Sequence, residues 1–76
     1  MKELIEYIAK SLATKPEEVR VTEVSDEDGQ IVLKLEVADE DKGRIIGKQG
    51  RVAQAMRVLL RVAAVKRDTR ASLEIV

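Results

Sequence analysis

The sequence has no cysteine, no histidine, no phenylalanine and no tryptophan, and Tyr7 is its only aromatic residue. Without cysteine there is neither a disulfide framework nor a thiolate metal site, and without histidine the usual zinc ligand sets are excluded as well. No cofactor or metal is expected. Catalysis is excluded on the same ground, because the chain lacks the commonest general base and nucleophile and offers no paired, buried carboxylates. The hydrophobic core has to close on Val, Ile, Leu, Met and Ala. Seventy-six residues hold one such core and no second, so the reading is one domain over residues 1–76. Glu3, Glu6 and Lys10 interrupt the apolar pattern of the N-terminal segment, which argues against a signal peptide or a membrane span. A soluble, cytoplasmic protein with no membrane partner is expected.

What is present is charge, and it is unevenly placed. Lysines and arginines number 14, as do aspartates and glutamates, for a net charge of zero. Up to Asp41 there are five bases against twelve acids, a net of −7; beyond it nine bases face only Asp68 and Glu74, a net of +7. A chain polarised in this way suggests an anionic partner, nucleic acid above all, for its basic part. The alternative is that the two parts simply pair across the fold.

The element pattern is legible. Leu4, Ile5, Ile8, Ala9 and Leu12 form the apolar face of an N-terminal helix that Pro16 brings to an end. Two β-branched segments, 18–24 and 30–37, flank the acidic turn 25–29 as a hairpin. Asp39 is the expected N-cap of a short helix that must end by Gly47. A longer helix from Arg51 to about Lys66 is expected to pack through Val52, Ala53, Met56, Leu59, Leu60 and Ala63, and a last strand alternates through Ala71, Leu73 and Ile75. The fold class is therefore α+β in the order α-β-β-α-α-β, a three-stranded sheet with three helices packed on one face. Tyr7 is expected to be half-buried at the edge of the first helix.

Between the second and third helices lies the segment GRIIGKQGR, residues 43–51. It is not a Walker A loop: three residues rather than four separate Gly43 from Gly47, and Gln49 stands where Ser or Thr would hold magnesium. It is not a dinucleotide fingerprint either, since no G-x-G precedes it. What remains is Gly47-Lys48-Gln49-Gly50, a turn whose glycines let a phosphodiester come close to exposed amides and to the positive end of the next helix.

In this context the whole chain resembles the KH domain of type II, and most of all the small stand-alone bacterial KH proteins of the KhpA family. The resemblance rests on GRIIGKQGRVAQAMRVLLRVAA and on the element order. It implies an RNA-binding groove built on the GXXG loop, a motif that clamps about four backbone nucleotides. Gly43, Arg44, Gly47, Lys48, Gln49, Gly50 and Arg51 would hold phosphates and sugars. Ile45, Ile46 and Val52 would form an apolar bed for bases, Leu73 and the edge of the last strand would meet base edges, and Arg67 and Arg70 would stand at the mouth. The partner implied is single-stranded RNA, with single-stranded DNA sharing the same chemistry. The family resemblance further implies an RNA chaperone or post-transcriptional regulator, acting as a homodimer or with a larger KH-containing protein, that influences cell shape and the cell wall. The rival reading is a KH-fold interaction module without RNA function.

A second surface accompanies the loop. Stepping the long helix at about 100° per residue, Arg51, Gln54, Arg57 and Arg61 define its polar side, yet Val58 and Val65 fall within that side and Val62 at its border. Val58, Arg61, Val62 and Val65 are therefore the expected dimer contact.

Overall fold

The alternation of Leu33 and Leu35 with Lys34 and Glu36 decides which side of the sheet is dry. In the computed structural model, which describes all 76 residues, helix α1 spans Lys2–Leu12, strands β1 and β2 span Arg20–Ser25 and Ile31–Glu36, and helices α2 and α3 span Lys42–Ile46 and Arg51–Lys66. Strand β3, Ala71–Ile75, completes the sheet, and short 3₁₀ turns lie at Pro16–Glu18, Asp39–Asp41 and Lys48–Gly50. The element order and fold class are those expected.

The strand order is β1-β2-β3. The hairpin pairs β1 antiparallel to β2, from Arg20↔Glu36 to Ser25↔Ile31, whereas β3 runs parallel to β2, from Ile31↔Ala71 to Leu35↔Ile75. Parallel neighbours need a crossover, and α2 with α3 supply it. Val21, Leu33, Leu35 and Leu73 point to the inner face, where they meet Ile5 and Ala9 of α1, Ile45 of α2 and Met56, Leu60 and Ala64 of α3. The outer face carries Arg20, Thr22, Lys34, Glu36, Ser72 and Glu74, all exposed, with Arg20 opposite Glu36 and Lys34 beside Glu74.

Three expectations are corrected here. Asp39 does not cap α2: its side chain is exposed and pairs with Lys42 at 3.1 Å, and no side chain caps the helix. Tyr7 is 73% exposed, because α1 packs through Ile5 and Ala9 and a residue two positions beyond Ile5 points to the opposite side. Leu59 is 46% exposed, one step around the helix from the fully buried Leu60.

Asp41 is the residue whose place could not be foreseen. It is the one buried charged side chain, with no exposure at all. One carboxylate oxygen accepts the Thr14 N–H at 3.0 Å and the Thr14 hydroxyl at 2.7 Å, and the other accepts the Lys15 N–H at 3.0 Å. These bonds, the Thr14 N–H first, hold its carboxyl below the ordinary carboxylate value. They fasten the turn after α1 to the start of α2, and so fix the helix from which the glycine loop departs.

Candidate nucleic-acid interface

Helix α2 ends because Gly47 leaves the helical region, at φ 79° and ψ 170°, after donating its N–H to the Gly43 carbonyl at 2.9 Å. A Cβ at this position would overlap the Val52 side chain and lie 2.8 Å from the Val52 nitrogen. Gly47 is thus required by the packing of the loop on the first turn of α3. Gln49 (φ 59°, ψ 26°) and Gly50 (φ 73°, ψ 14°) follow in the left-handed region, and the Arg51 N–H closes onto the Lys48 carbonyl, which makes residues 48–51 a type I′ turn. Around the place a Cβ would take on Gly50 nothing lies within 4 Å. Gly47 is packed; Gly50 is open to solvent.

Helix α3 therefore starts with no capping side chain and no acid in its first turn. The N–H groups of that turn have no partners within the helix, and the dipole leaves a partial positive charge there. The loop's one side-chain hydrogen bond runs from the Arg51 guanidinium to Gln49 Oε1 at 3.3 Å. Charge is equally unspent. Of the nine bases from Lys42 onward, only Lys42 has a carboxylate within ion-pair distance. The nearby acids turn elsewhere: Glu40 to Lys15 at 2.6 Å, and Glu18 to the same lysine at 4.0 Å. Mutual neutralisation of the acidic and basic parts by direct pairing does not occur.

From the loop, α3 runs over β3, and between them lies a shallow groove of about 130 Å³ lined by Arg57, Leu60, Arg61, Ala71, Ser72 and Leu73. Strand β3 is an edge strand. Because Ile31 donates to the Arg70 carbonyl and Val76 donates to Leu35, the even-numbered residues of β3 face β2. Ala71, Leu73 and Ile75 accordingly turn backbone N–H and C=O groups to the open edge. The Leu73 side chain is buried in the core, so this residue offers the groove its main chain alone.

A protein-family model described as "KhpA/KhpB, KH domain" matches residues 2–75. The chain belongs to this family. Curated relatives called "RNA-binding protein KhpA" include those of Clostridium acetobutylicum, 53% identical, and Clostridium perfringens, 51% identical, each aligned over 76 residues and the full length of both chains. Among solved structures, Era of Aquifex aeolicus bound to GDP.AlF4- superposes with a TM-score of 0.60 at 19% identity, over 97% of this chain. A structure of Era in complex with MgGDPNP and nucleotides 1506–1542 of 16S ribosomal RNA gives a TM-score of 0.58. The chain spans 28% of the length of Era in each case, and at this identity the likeness concerns the fold.

Within the KhpA/KhpB frame most of the expected site residues come together. Arg44, Lys48, Gln49 and Arg51 are exposed around the loop, Ile46 is 40% exposed beside it and Val52 is half-buried beneath it. Gly43 is open, with no atom within 4 Å of a notional Cβ. Ile45 does not belong to a base-binding bed: it is completely buried and packs in the core. Of the pair Ile45-Ile46, successive positions on α2 point one inward and one outward. Arg67 also leaves the site. It follows the last turn of α3, roughly 24 Å from the loop by helical rise, in a recess with Lys2, Glu3, Thr22 and Glu23. Arg70 stays near the groove, at the start of β3 beside Gln30, Ile31 and Ser72. Arg57 and Arg61 are the groove cations the sequence reading did not assign to RNA. Their i, i+4 spacing was visible, but that β3 lies alongside them is a long-range fact. Val58, Val62 and Val65 are exposed, as expected of the second surface.

Proposed function

We propose that this KhpA-family protein is a non-catalytic binder of single-stranded RNA that grips the phosphate backbone with Gly47–Gly50 and the first turn of α3. Bases then lie along the groove toward the open edge of β3. The observation that carries the reading is that Arg44, Lys48 and Arg51 have no carboxylate partner and α3 starts without a capping side chain or an acid in its first turn, on a loop whose approach side is empty at Gly50. The names of its full-length relatives support it. Arg44, Lys48 and Arg51 meet phosphates near the loop; Arg57 and Arg61 follow the strand along α3; main-chain groups of Leu73 meet base edges.

The grip is weak and permissive. No aromatic side chain lines the groove, so the ~1–3 kcal/mol per base that stacking gives other single-strand binders is absent. Affinity then rests on phosphates and falls with salt by roughly 0.7 log units per log unit for each one contacted. Such a site suits transient contact with many strands, as an RNA chaperone or post-transcriptional regulator requires, and two copies, or one copy with a larger KH partner, multiply it. The exposed valines of α3 support that pairing. The influence on cell shape and the cell wall is carried by the family resemblance alone.

The test is a titration of labelled single-stranded RNA with the native chain and with Lys48→Asp combined with Gln49→Asp. The variant is expected to keep its fold and lose binding by roughly two orders of magnitude, since two charges are reversed or added where phosphate sits. Equal binding by both proteins rejects the loop assignment. Absence of binding by either, even at low salt, leaves the interaction module as the function.

A further inference from the structure

The groove between α3 and β3 is closed at its far end by the turn that joins the two elements. That turn is fastened on both sides: the Thr69 N–H donates to the Ala64 carbonyl at 2.9 Å, and the Thr69 hydroxyl donates to the Gly29 carbonyl at 3.1 Å. A strand longer than the groove therefore has to leave it over the open edge of β3. A recess of about 220 Å³ lies there, lined by Gln30, Ile31, Arg70, Ala71 and Ser72, and it shares Ala71 and Ser72 with the groove. The two hollows meet across one strand.

The recess opens on the outer face of the sheet. Gln30 and Arg70 immediately precede β2 and β3 and, with Ser72, keep the parity of Lys34 and Glu74, which point away from the core. In register Ser72 stands beside Val32 and Val32 beside Val24, the only apolar pair among the outward strand residues. Val24 is exposed and Val32 half-buried. The side chains of Gln30, Arg70 and Ser72 are exposed and form no hydrogen bond or ion pair within the chain. A free guanidinium, an amide and a hydroxyl that both donate and accept, and an apolar bed supply what the phosphate, sugar and base of one nucleotide require. The recess is smaller than the ~300 Å³ at which pockets begin to hold drug-sized ligands, a scale that suits a single base. Beyond Arg70 the charge reverses: the next recess is lined by Asp28 and Asp68, and a further phosphate would meet carboxylates.

Resting on the RNA-binding reading, we propose that the protein has a further nucleotide subsite outside the groove: the strand crosses the edge of β3 at Ala71 and Ser72 and seats its next nucleotide on the outer face. Arg70 takes the phosphate, Gln30 and Ser72 meet sugar or base edges, and the base lies against Val32. Asp28 and Asp68 end the track. With one nucleotide crossing the edge and one seated, the ligand is a single strand of about six nucleotides rather than the about four that a GXXG groove holds alone. A nucleotide, rather than an acidic peptide, is the occupant because the recess is continuous with the groove and meets it at the same two residues of β3.

Competition of unlabelled uridine oligonucleotides against a labelled single-stranded RNA, read by anisotropy on the whole chain, tests this. Lengthening the competitor from four to six nucleotides should strengthen binding roughly tenfold, whereas extra registers on a four-nucleotide site give only about threefold. The salt slope should steepen by roughly 0.7 for the added phosphate contact. Arg70→Gln with Gln30→Ala, both at exposed positions, should bind the four-nucleotide strand as the native chain does and lose the excess gain and the added slope. Asp28→Asn with Asp68→Asn should make eight nucleotides bind several-fold tighter than they bind the native chain, as a weakened electrostatic barrier near the surface implies. A native gain of only about threefold, the register effect of a four-nucleotide site, overturns the subsite. So does an arginine–glutamine variant that weakens both lengths alike or keeps the full gain, and an unchanged eight-nucleotide affinity in the aspartate variant overturns the acidic stop. If no oligonucleotide binds at any length, it is the RNA reading itself that fails.

Discussion

The junction around Asp41 and the turn around Gly50 are both polar, both lie at the ends of α2, and are finished in opposite ways. At Asp41 a fully buried carboxylate has its acceptors filled by Thr14 and Lys15, and Lys15 in turn pairs with Glu40. At Gly50 the helix start has no cap, the neighbouring cations have no carboxylates, and the space outside is empty. A polar group that serves the fold is satisfied within it; one left unsatisfied at the surface is available to something else. Asp41 holds the platform, and the loop offers the contact.

That division can be broken at its strongest point with Gly47→Ala, which places a Cβ against Val52 at a positive φ. A loss of about 3 kcal/mol is expected from overlap and backbone strain together, read by urea denaturation; a loss no larger than that of Gly50→Ala would show that the two glycines are not different in kind. Asp41→Asn comes next. It is expected to lower the melting temperature at neutral pH while leaving the loop's exposed residues in place. The pH dependence has a definite sign: a carboxyl whose value is lowered by folding adds stability above its ordinary value, near pH 4, and loses it as the pH falls below that toward the folded value. Wild type and Asp41→Asn should therefore converge in strongly acidic buffer, and a gap that persists there would mean that something other than the carboxylate's charge is at work.

Gly50→Ala sharpens the contrast from the other side. With open space around it, the cost is the left-handed conformation alone, about 1 kcal/mol, whereas RNA binding should fall further than stability because a methyl group now stands where phosphate approaches. The smallest effect is expected on the far side of the molecule. Arg67→Gln, beside Glu3 and Glu23 rather than in the groove, should leave the salt slope of RNA binding unchanged, while Arg57→Gln should lower it by roughly 0.7 for one lost phosphate contact. Equal slopes for the two variants would place the strand elsewhere.

Local patterns in the sequence were enough for the elements, the hairpin, the short α2 and the glycine turn, because each depends on periodicity or backbone freedom within a few residues. The exposed valines were legible for the same reason. Ile45 was misplaced because neighbouring residues on a helix lie about 100° apart, and in the short α2 only Ile45 of the pair faces the core. Arg67 was assigned to the mouth of the groove by nearness in sequence to β3, although the end of a 16-residue helix is remote from its beginning. Asp41 and the groove role of Arg57 and Arg61 depend on what another part of the chain brings opposite them. The separation of 27 positions between Thr14 and Asp41 leaves no periodic trace.

The parallel pairing of β3 with β2 has a kinetic consequence. Its partners, such as Ile31 and Ala71, are widely separated along the chain, and contacts of this kind carry the largest entropic cost of closure in folding. The groove has α3 for one wall and β3 for the other, so it comes into existence only when that closure is complete. Before then the chain already carries its arginines and can attract any polyanion, but it has no walls to orient one. Selective capture of a strand and completion of the sheet should therefore appear on the same time course after dilution from denaturant, with indiscriminate charge attraction preceding both.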